Sequence, residues 1–183
     1  MNTIRIINTK NGDMTSQWQL ETIQWCIKAV SKDTYRPNLM HLYIDKDFMA
    51  GTDGHRLHIA FNDWDFEPGL YEILNLKANE ILLAKSETLS LGDYPSIWRV
   101  IPAHCKNGIP SFFCNMEKGQ ELHDKSYLAY HVYRNTGNCY NLKFLDDIRM
   151  GGNLKFELGE EKSMLVVASE NHDRLAMIMP LKQ

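Results

Sequence analysis

The sequence predicts an α+β fold made of repeated β-α-β-β-β units, with helices on one face of antiparallel sheets. Three observations carry this. Short segments with period-two apolar alternation recur, among them Thr3–Asn8, Leu39–Asp45 and His55–Phe61. Between the first two, Leu20, Ile23, Ile27 and Val30 fall at helical spacing. Finally, NLKANEILLAKS (75–86) echoes NLKFLDDIRMGG (141–152), each opening Asn-Leu-Lys with a carboxylate at the same offset.

Each element has its own warrant. Thr3–Asn8 reads as a strand and Asn11-Gly12-Asp13 as a turn. Ser16-Gln17-Trp18-Gln19 fits a capping box with Ser16 as N-cap, so a helix is expected over about 17–31. Leu39–Asp45 and Phe48–Ala50 are strands. Thr52-Asp53-Gly54 bends the chain, and alternation from His55 to Phe61 puts His55, Leu57, Ile59 and Phe61 on one face. Leu70–Leu74 is strand-like, and Asn75 opens a short helix to about Lys85. Thr88–Leu91, Trp98–Ile101, Ser111–Met116 and Ser126–Tyr133 are strand candidates. Asn141 caps a helix to Met150, ended by Gly151-Gly152. Leu154–Leu158, Met164–Ser169 and Arg174–Leu181 complete the strands.

At 183 residues, the chain is long enough for one ordinary domain or two small ones. Its 44% hydrophobic and 23% charged residues are those of a soluble globular protein. The net charge of −3 offers no basic field strong enough to hold nucleic acid by charge alone, though a local basic face is compatible with it. The opening MNTIRIINTKNGD has no long apolar core of a leader, and no apolar run approaches the ~20 residues of a membrane helix, so a cytoplasmic location is expected. Cys26, Cys105, Cys114 and Cys139 are scattered with no CxxC, which reads as four reduced thiols. No cofactor or metal requirement is expected.

The densest polar cluster is AGTDGHRLHIAF (50–61). A hydrolase would pair Asp53 with a histidine as acid and base, but it needs a nucleophile or metal beside them, and no GxSxG, HExxH or Walker-type pattern occurs. A metal site would recruit His55 and His58, with His104, Cys105 or His172. His55 and His58 are three apart, so on a strand they face opposite sides. The plainer reading is a turn: Asp-Gly bends the chain, and the Thr52 and Asp53 side chains bond the backbone beside it.

AGTDGHRLHI resembles the ATDGHRLA segment of the bacterial β sliding clamp, the processivity subunit of DNA polymerase III. GDYPSIWRVIP (92–102) resembles that family's G-x-F-P-x-Y-x-R-V-[IL]-P segment, and the final AMIMPLKQ resembles its VVMPMRL. The three occur in the same order as in the family, and the resemblance covers about residues 15–183, thinly over 103–138. It implies a DNA-clamp-like fold with no catalysis. It also implies a groove between the family's middle and last domains that binds short linear peptides of DNA polymerase, clamp loader or repair proteins. The matching positions are Thr52, Gly54, His55, Arg56 and Leu57; Pro95, Arg99 and Val100; and Met177, Met179, Pro180 and Leu181. Alternation independently puts Leu175, Met177, Met179 and Leu181 on one face, and methionine suits a surface that accepts varied peptides. Arg56 and Arg99 would orient a peptide through its carbonyls or a carboxylate.

The resemblance further implies encirclement of duplex DNA by helices that touch phosphates, a sequence-independent and salt-sensitive contact. The candidates are Lys28, Lys32, Tyr35 and Arg36 near the first helix, Lys77 and Lys85 on the second, and Lys143 and Arg149 on the third. For each lysine, a solvated helix face is the competing reading. Residues 1–102 match the family's middle domain, and 103–183 an abbreviated last domain with no clear helix before Asn141. Nothing corresponds to the first domain, so a homo-oligomeric ring would need another arrangement, such as three two-domain chains. A monomeric adaptor or inhibitor that takes the same peptides is the alternative. A shortened relative of this kind would suit a phage or mobile-element replication system.

Overall fold

The computed structural model describes residues 3–7, 14–61, 65–99, 101, 111–116, 125–149, 152–158, 164–169 and 173–181. The chain divides into two compact units. One comprises Met1–Gly54 with His58–Pro95, the other His55–Leu57 with Ser96–Gln183.

The first unit contains β1 (Thr3–Ile7), α1 (Met14–Ile27), β2 (Leu42–Ile44), β3 (Phe48–Thr52), most of β4 (Arg56–Phe61), β5 (Gly69–Lys77) and β6 (Glu80–Lys85). Its sheet order is β1-β6-β5-β2-β3-β4. Leu20, Ile23, Trp25, Cys26 and Ile27 of α1 are buried, and the helix packs on β1, β3 and β6. Gly51 of β3 passes so close to the end of α1 that a Cβ there would overlap the Cys26 carbonyl oxygen. The helix starts at Met14, two residues before the Ser16 expected as its cap, because Ser is also tolerated in a first turn, where N–H groups lack intrahelical partners. It ends in a tightened turn, with Ala29 N–H donating to Cys26 O and Val30 N–H to Ile27 O.

The helix expected from Asn75 to Lys85 is instead a β-hairpin, with Lys77 opposite Glu80 across a two-residue turn. A register shift between Ile73 and Asn75 breaks the period-two pattern there, which is why the strand was not legible. Gln24 Nε2 donates to the Lys77 and Ala78 carbonyls and ties that turn to α1. The echo of Asn-Leu-Lys segments therefore falls on a hairpin in one case and a helix in the other. The strands expected at Thr88–Leu91 and Trp98–Ile101 are not formed. Short 3-10 turns at Leu91–Asp93 and Ile97–Arg99 stand there, the first held by Ser90 N–H and Oγ donating to Asp93 Oδ2 at 2.7 and 3.0 Å.

The second unit holds β7 (Ser111–Met116), α2 (Lys125–Thr136), α3 (Leu142–Asp147), β8 (Gly152–Leu158), β9 (Leu165–Ser169) and β10 (Arg174–Ile178), in sheet order β7-β8-β9-β10. Ser126–Tyr133, expected as a strand, is helical. Leu128 and Val132 sit one turn apart and are buried, and α2 packs on α3, so packing overrides local propensity. A helix therefore does precede Asn141. The Asn141 cap is present, its Oδ1 accepting from Lys143 N–H at 2.9 Å, but α3 stops at Asp147, and Met150 and Gly151 lie outside the described residues. Both units place a helix between a first strand and a three-stranded meander: β1-α1-β2-β3-β4 and β7-α2-α3-β8-β9-β10. This is the α+β, repeated β-α-β-β-β architecture expected from the sequence.

Candidate functional site

Of the twelve groove candidates, the second unit gathers His55, Arg56, Leu57, Arg99, Met177, Met179, Pro180 and Leu181. Thr52, Gly54 and Pro95 belong to the first unit, and Val100 lies outside the described residues.

Within the second unit, His55 and the Met179–Leu181 segment meet through the backbone. Met179 N–H donates to the His55 carbonyl at 2.9 Å, and Leu181 N–H donates to the Cys139 carbonyl at 2.9 Å. Pro180 between them has no N–H to leave unpaired, so Met-Pro-Leu is pinned without an orphaned donor. β10 ends at Ile178, and Met179 and Leu181 leave it with side chains 45% and 52% exposed. His55 and Arg99 are exposed as well. Trp98, beside Arg99, and Leu142, at the start of α3, are further exposed large apolar side chains of this unit. Sequence reading passed over both, although a tryptophan inside the second matching segment was a usable signal.

Three expectations need correction. Leu57 and Met177 are buried core residues, so they supply no open apolar surface. The single face expected for Leu175, Met177, Met179 and Leu181 is not formed: Met177 is buried, and the strand ends before the two exposed members. Arg56 does not point to solvent. Its Nη1 donates to Asp147 Oδ2 at 2.6 Å, and its guanidinium lies 4.3 Å from the centroid of the Phe144 ring. Lys143 Nζ donates to the same carboxylate oxygen at 2.9 Å. Burial would raise the Asp147 carboxyl, but the bonds from Arg56 and Lys143 overcome it and hold the carboxyl below its usual value. Arg56 thus fastens the His55–Leu57 segment to α3, whose charge-assisted bonds and ring contact fix its place. Asp147 lies 91 positions away in sequence, beyond any local pattern.

In the first unit, the bend is made as expected. Thr52 Oγ1 accepts from Gly54 N–H at 3.1 Å, and Gly54 takes φ +86°, where a side chain would be strained. A Cβ on Gly54 would also sit 2.7 Å from Arg36 Nη1. Arg36 donates to Asp33 Oδ2 at 3.3 Å and to the Asp53 carbonyl at 3.5 Å, so its guanidinium is turned toward the bend. His58 is fully buried, stacked 4.3 Å from Trp25 with Nδ1 2.8 Å from the Trp25 carbonyl, whereas His55 is exposed. The two histidines therefore share no site. Among the described residues, no three His, Cys, Asp or Glu side chains converge on a metal position; His104, Cys105 and His172 lie outside them.

The DNA-facing candidates sit on different elements of the two units. Lys28, Lys32 and Tyr35 are exposed in the first unit. Lys77 and Lys85 are on the β5–β6 hairpin and not on a helix, and they pair with Glu80 and Glu67 respectively. Lys143 pairs with Asp147, and Arg149 with Asp146 at 3.3 Å. Among the described residues, no helix is long and apolar enough to cross a membrane.

Comparison with solved structures assigns the architecture. The β subunit of DNA polymerase III from Thermotoga maritima superposes with a TM-score of 0.62 at 13% identity, covering 99% of this chain and 65% of that one. The chain has the fold of bacterial β sliding clamps. The Caulobacter crescentus β sliding clamp gives 0.63 at 14% identity, covering 100% of this chain and 66% of the other. A Pseudomonas aeruginosa sliding clamp solved with griselimycin bound gives 0.59 at 16%, covering 100% and 66%. The chain thus spans about two thirds or less of these clamps' length. No protein-family model and no curated protein matches it.

Proposed function

We propose that this protein is a non-catalytic, clamp-like tether that binds short linear peptides of replication or repair proteins at the surface presented by His55, Met179 and Leu181. The Met179 N–H bond to the His55 carbonyl carries the reading, because it joins two of the three clamp-like segments and leaves two flexible apolar side chains exposed beside them. Methionine adapts to differing partners, and Trp98, Leu142 and Arg99 add aromatic, aliphatic and cationic options in the same unit. Its units correspond, in this reading, to the middle and last clamp domains. A labelled peptide of the Gln-Leu-x-Leu-Phe type should bind, and Met179→Ala with Leu181→Ala should weaken it at least ~10-fold, as expected for two apolar anchors. Absence of binding, or binding indifferent to the pair, overturns the reading.

Two assembly forms follow. In one, several copies close around duplex DNA and slide on phosphate contacts, in a cytoplasmic, phage or mobile-element replication setting. In the other, a monomer takes clamp-binding peptides without encircling DNA. The second is favoured by the carboxylates that already hold Lys77, Lys85, Lys143 and Arg149. Light scattering with DNA present separates them: a stable oligomer supports the ring, and a persistent monomer removes it.

A further inference from the structure

α2 carries a surface that the peptide reading does not use. Its sequence, KSYLAYHVYRNT, contains Lys125, His131 and Arg134 and no carboxylate. Leu128 and Val132 are buried and the helix packs on α3, while Tyr130 and Tyr133 stand 58% and 51% exposed. The two tyrosines are one turn apart, with Cβ atoms about 5–6 Å from each other at that spacing. Among the described residues, the ring contact of Tyr130 is a T-shaped one with His131, at 6.4 Å and 78°, and no ring is stacked on it in parallel. The helix end is held firmly. Gly137, at φ +73°, donates its N–H to the Tyr133 carbonyl at 2.7 Å, and Asn135 and Thr136 side chains bond the His131 and Val132 carbonyls. Arg134, one helical turn after Tyr130, is exposed and has no ion pair among the described residues. The cations of this unit that do pair, Arg56, Lys143, Arg149 and Lys155, are each held by a carboxylate.

We propose that Tyr130 and Tyr133 form a stacking platform for unpaired bases, with Arg134 on the adjoining phosphate, so that α2 binds single-stranded DNA. Stacking is the chemistry that fits two exposed phenol rings on a rigid, carboxylate-free helix. Every unpaired base offers a face on which an aromatic ring can stack, whereas a duplex hides its base faces and offers phosphates, for which α2 has one exposed arginine. A surface built for duplex phosphates would be dominated by lysine and arginine. DNA is the strand to test because the structural neighbours are DNA polymerase subunits.

Fluorescence anisotropy of the full chain with labelled oligothymidylate and a duplex of equal length provides the test. Single-strand binding should exceed duplex binding at least ~5-fold. Tyr130→Ala with Tyr133→Ala should weaken it at least ~10-fold, the lower end for two lost stacks. Tyr130→Phe with Tyr133→Phe should retain it within ~3-fold, because stacking needs the ring and not the hydroxyl. Arg134→Ala should flatten the salt dependence by about 0.7 in logarithmic slope, one single-strand phosphate. No single-strand binding, equal or tighter duplex binding, or a Phe variant as impaired as the Ala variant overturns the proposal. The surface is independent of the peptide reading: the Ala variant should bind the Gln-Leu-x-Leu-Phe peptide as the parent does, and that measurement also shows that it has folded.

Discussion

The two repeats share a plan but differ in what covers their helices. In the first, the β5–β6 hairpin lies between β1 and β2 in the sheet, which widens it to six strands, and α1 is buried along its C-terminal half against β1, β3 and β6. In the second, β7 pairs directly with β8, the unit contributes four strands, and α2 packs on α3 with two tyrosines left in solvent. A wide sheet absorbs a helix as core. The four-strand unit leaves helix surface over, here the part of α2 that carries Tyr130 and Tyr133. Among the described residues, the exposed large apolar side chains carried by α-helices follow the same division: Tyr130, Tyr133 and Leu142 belong to the second unit, whereas those of the first, Ile7, Tyr35, Leu74 and Leu76, lie on strands or a loop.

Substitutions can break this contrast, and the largest effect is expected at Arg56. Removing the buried partner of Asp147 strands a half-buried carboxylate, so Arg56→Ala should cost about 3 kcal/mol in urea unfolding, although Lys143 remains. Next is the close approach that defines the first repeat. Gly51→Ala should cost about 2–3 kcal/mol, because the Cβ meets a backbone carbonyl that cannot swing away. In the second repeat, Asn141→Ala removes the α3 cap and should cost about 1 kcal/mol. Tyr130→Ala should change stability by less than about 0.5 kcal/mol, as an exposed residue does. If it cost as much as Gly51→Ala, the contrast between absorbed and open helix would fail.

pH sharpens the same comparison. Asp147 is held below its usual value, so the folded protein binds that proton less readily than the unfolded chain. Its contribution is complete above the unfolded carboxylate value near ~4 and is lost as pH falls through the lower folded value. Urea midpoints measured from about pH 5 to 2 should fall steeply in the parent and less steeply in Asp147→Asn. Parallel curves would remove Asp147 as the acid-sensitive fastening of His55–Leu57.

Much of the fold was legible because its strands are short and alternating and because α1 keeps helical spacing from Leu20 to Val30. The failures have physical causes. A bulge after Ile73 broke the alternation of β5, so an Asn-Leu-Lys start passed for a helix. Tyrosine and valine, strand formers by propensity, masked α2, whose helical signal is the Leu128–Val132 pair alone. At the candidate site, the three clamp-like segments carried no information on the direction of each side chain. Alternation through Arg174–Leu181 assumed a strand that in fact ends at Ile178, which put Met177 on the surface when it is core. Nothing local to Arg56 pointed to Asp147.

The contrast between Met177 and Met179 offers the most direct test. The chain has nine methionines, each with one methyl group that can be labelled with carbon-13 and resolved by NMR. With a Gln-Leu-x-Leu-Phe peptide added to saturation, the Met179 methyl, assigned by Met179→Leu, should shift most, while buried Met49 and Met177 move little. A saturated sample in which Met179 is unmoved, or in which the buried methyls move and it does not, would contradict a peptide site at His55, Met179 and Leu181.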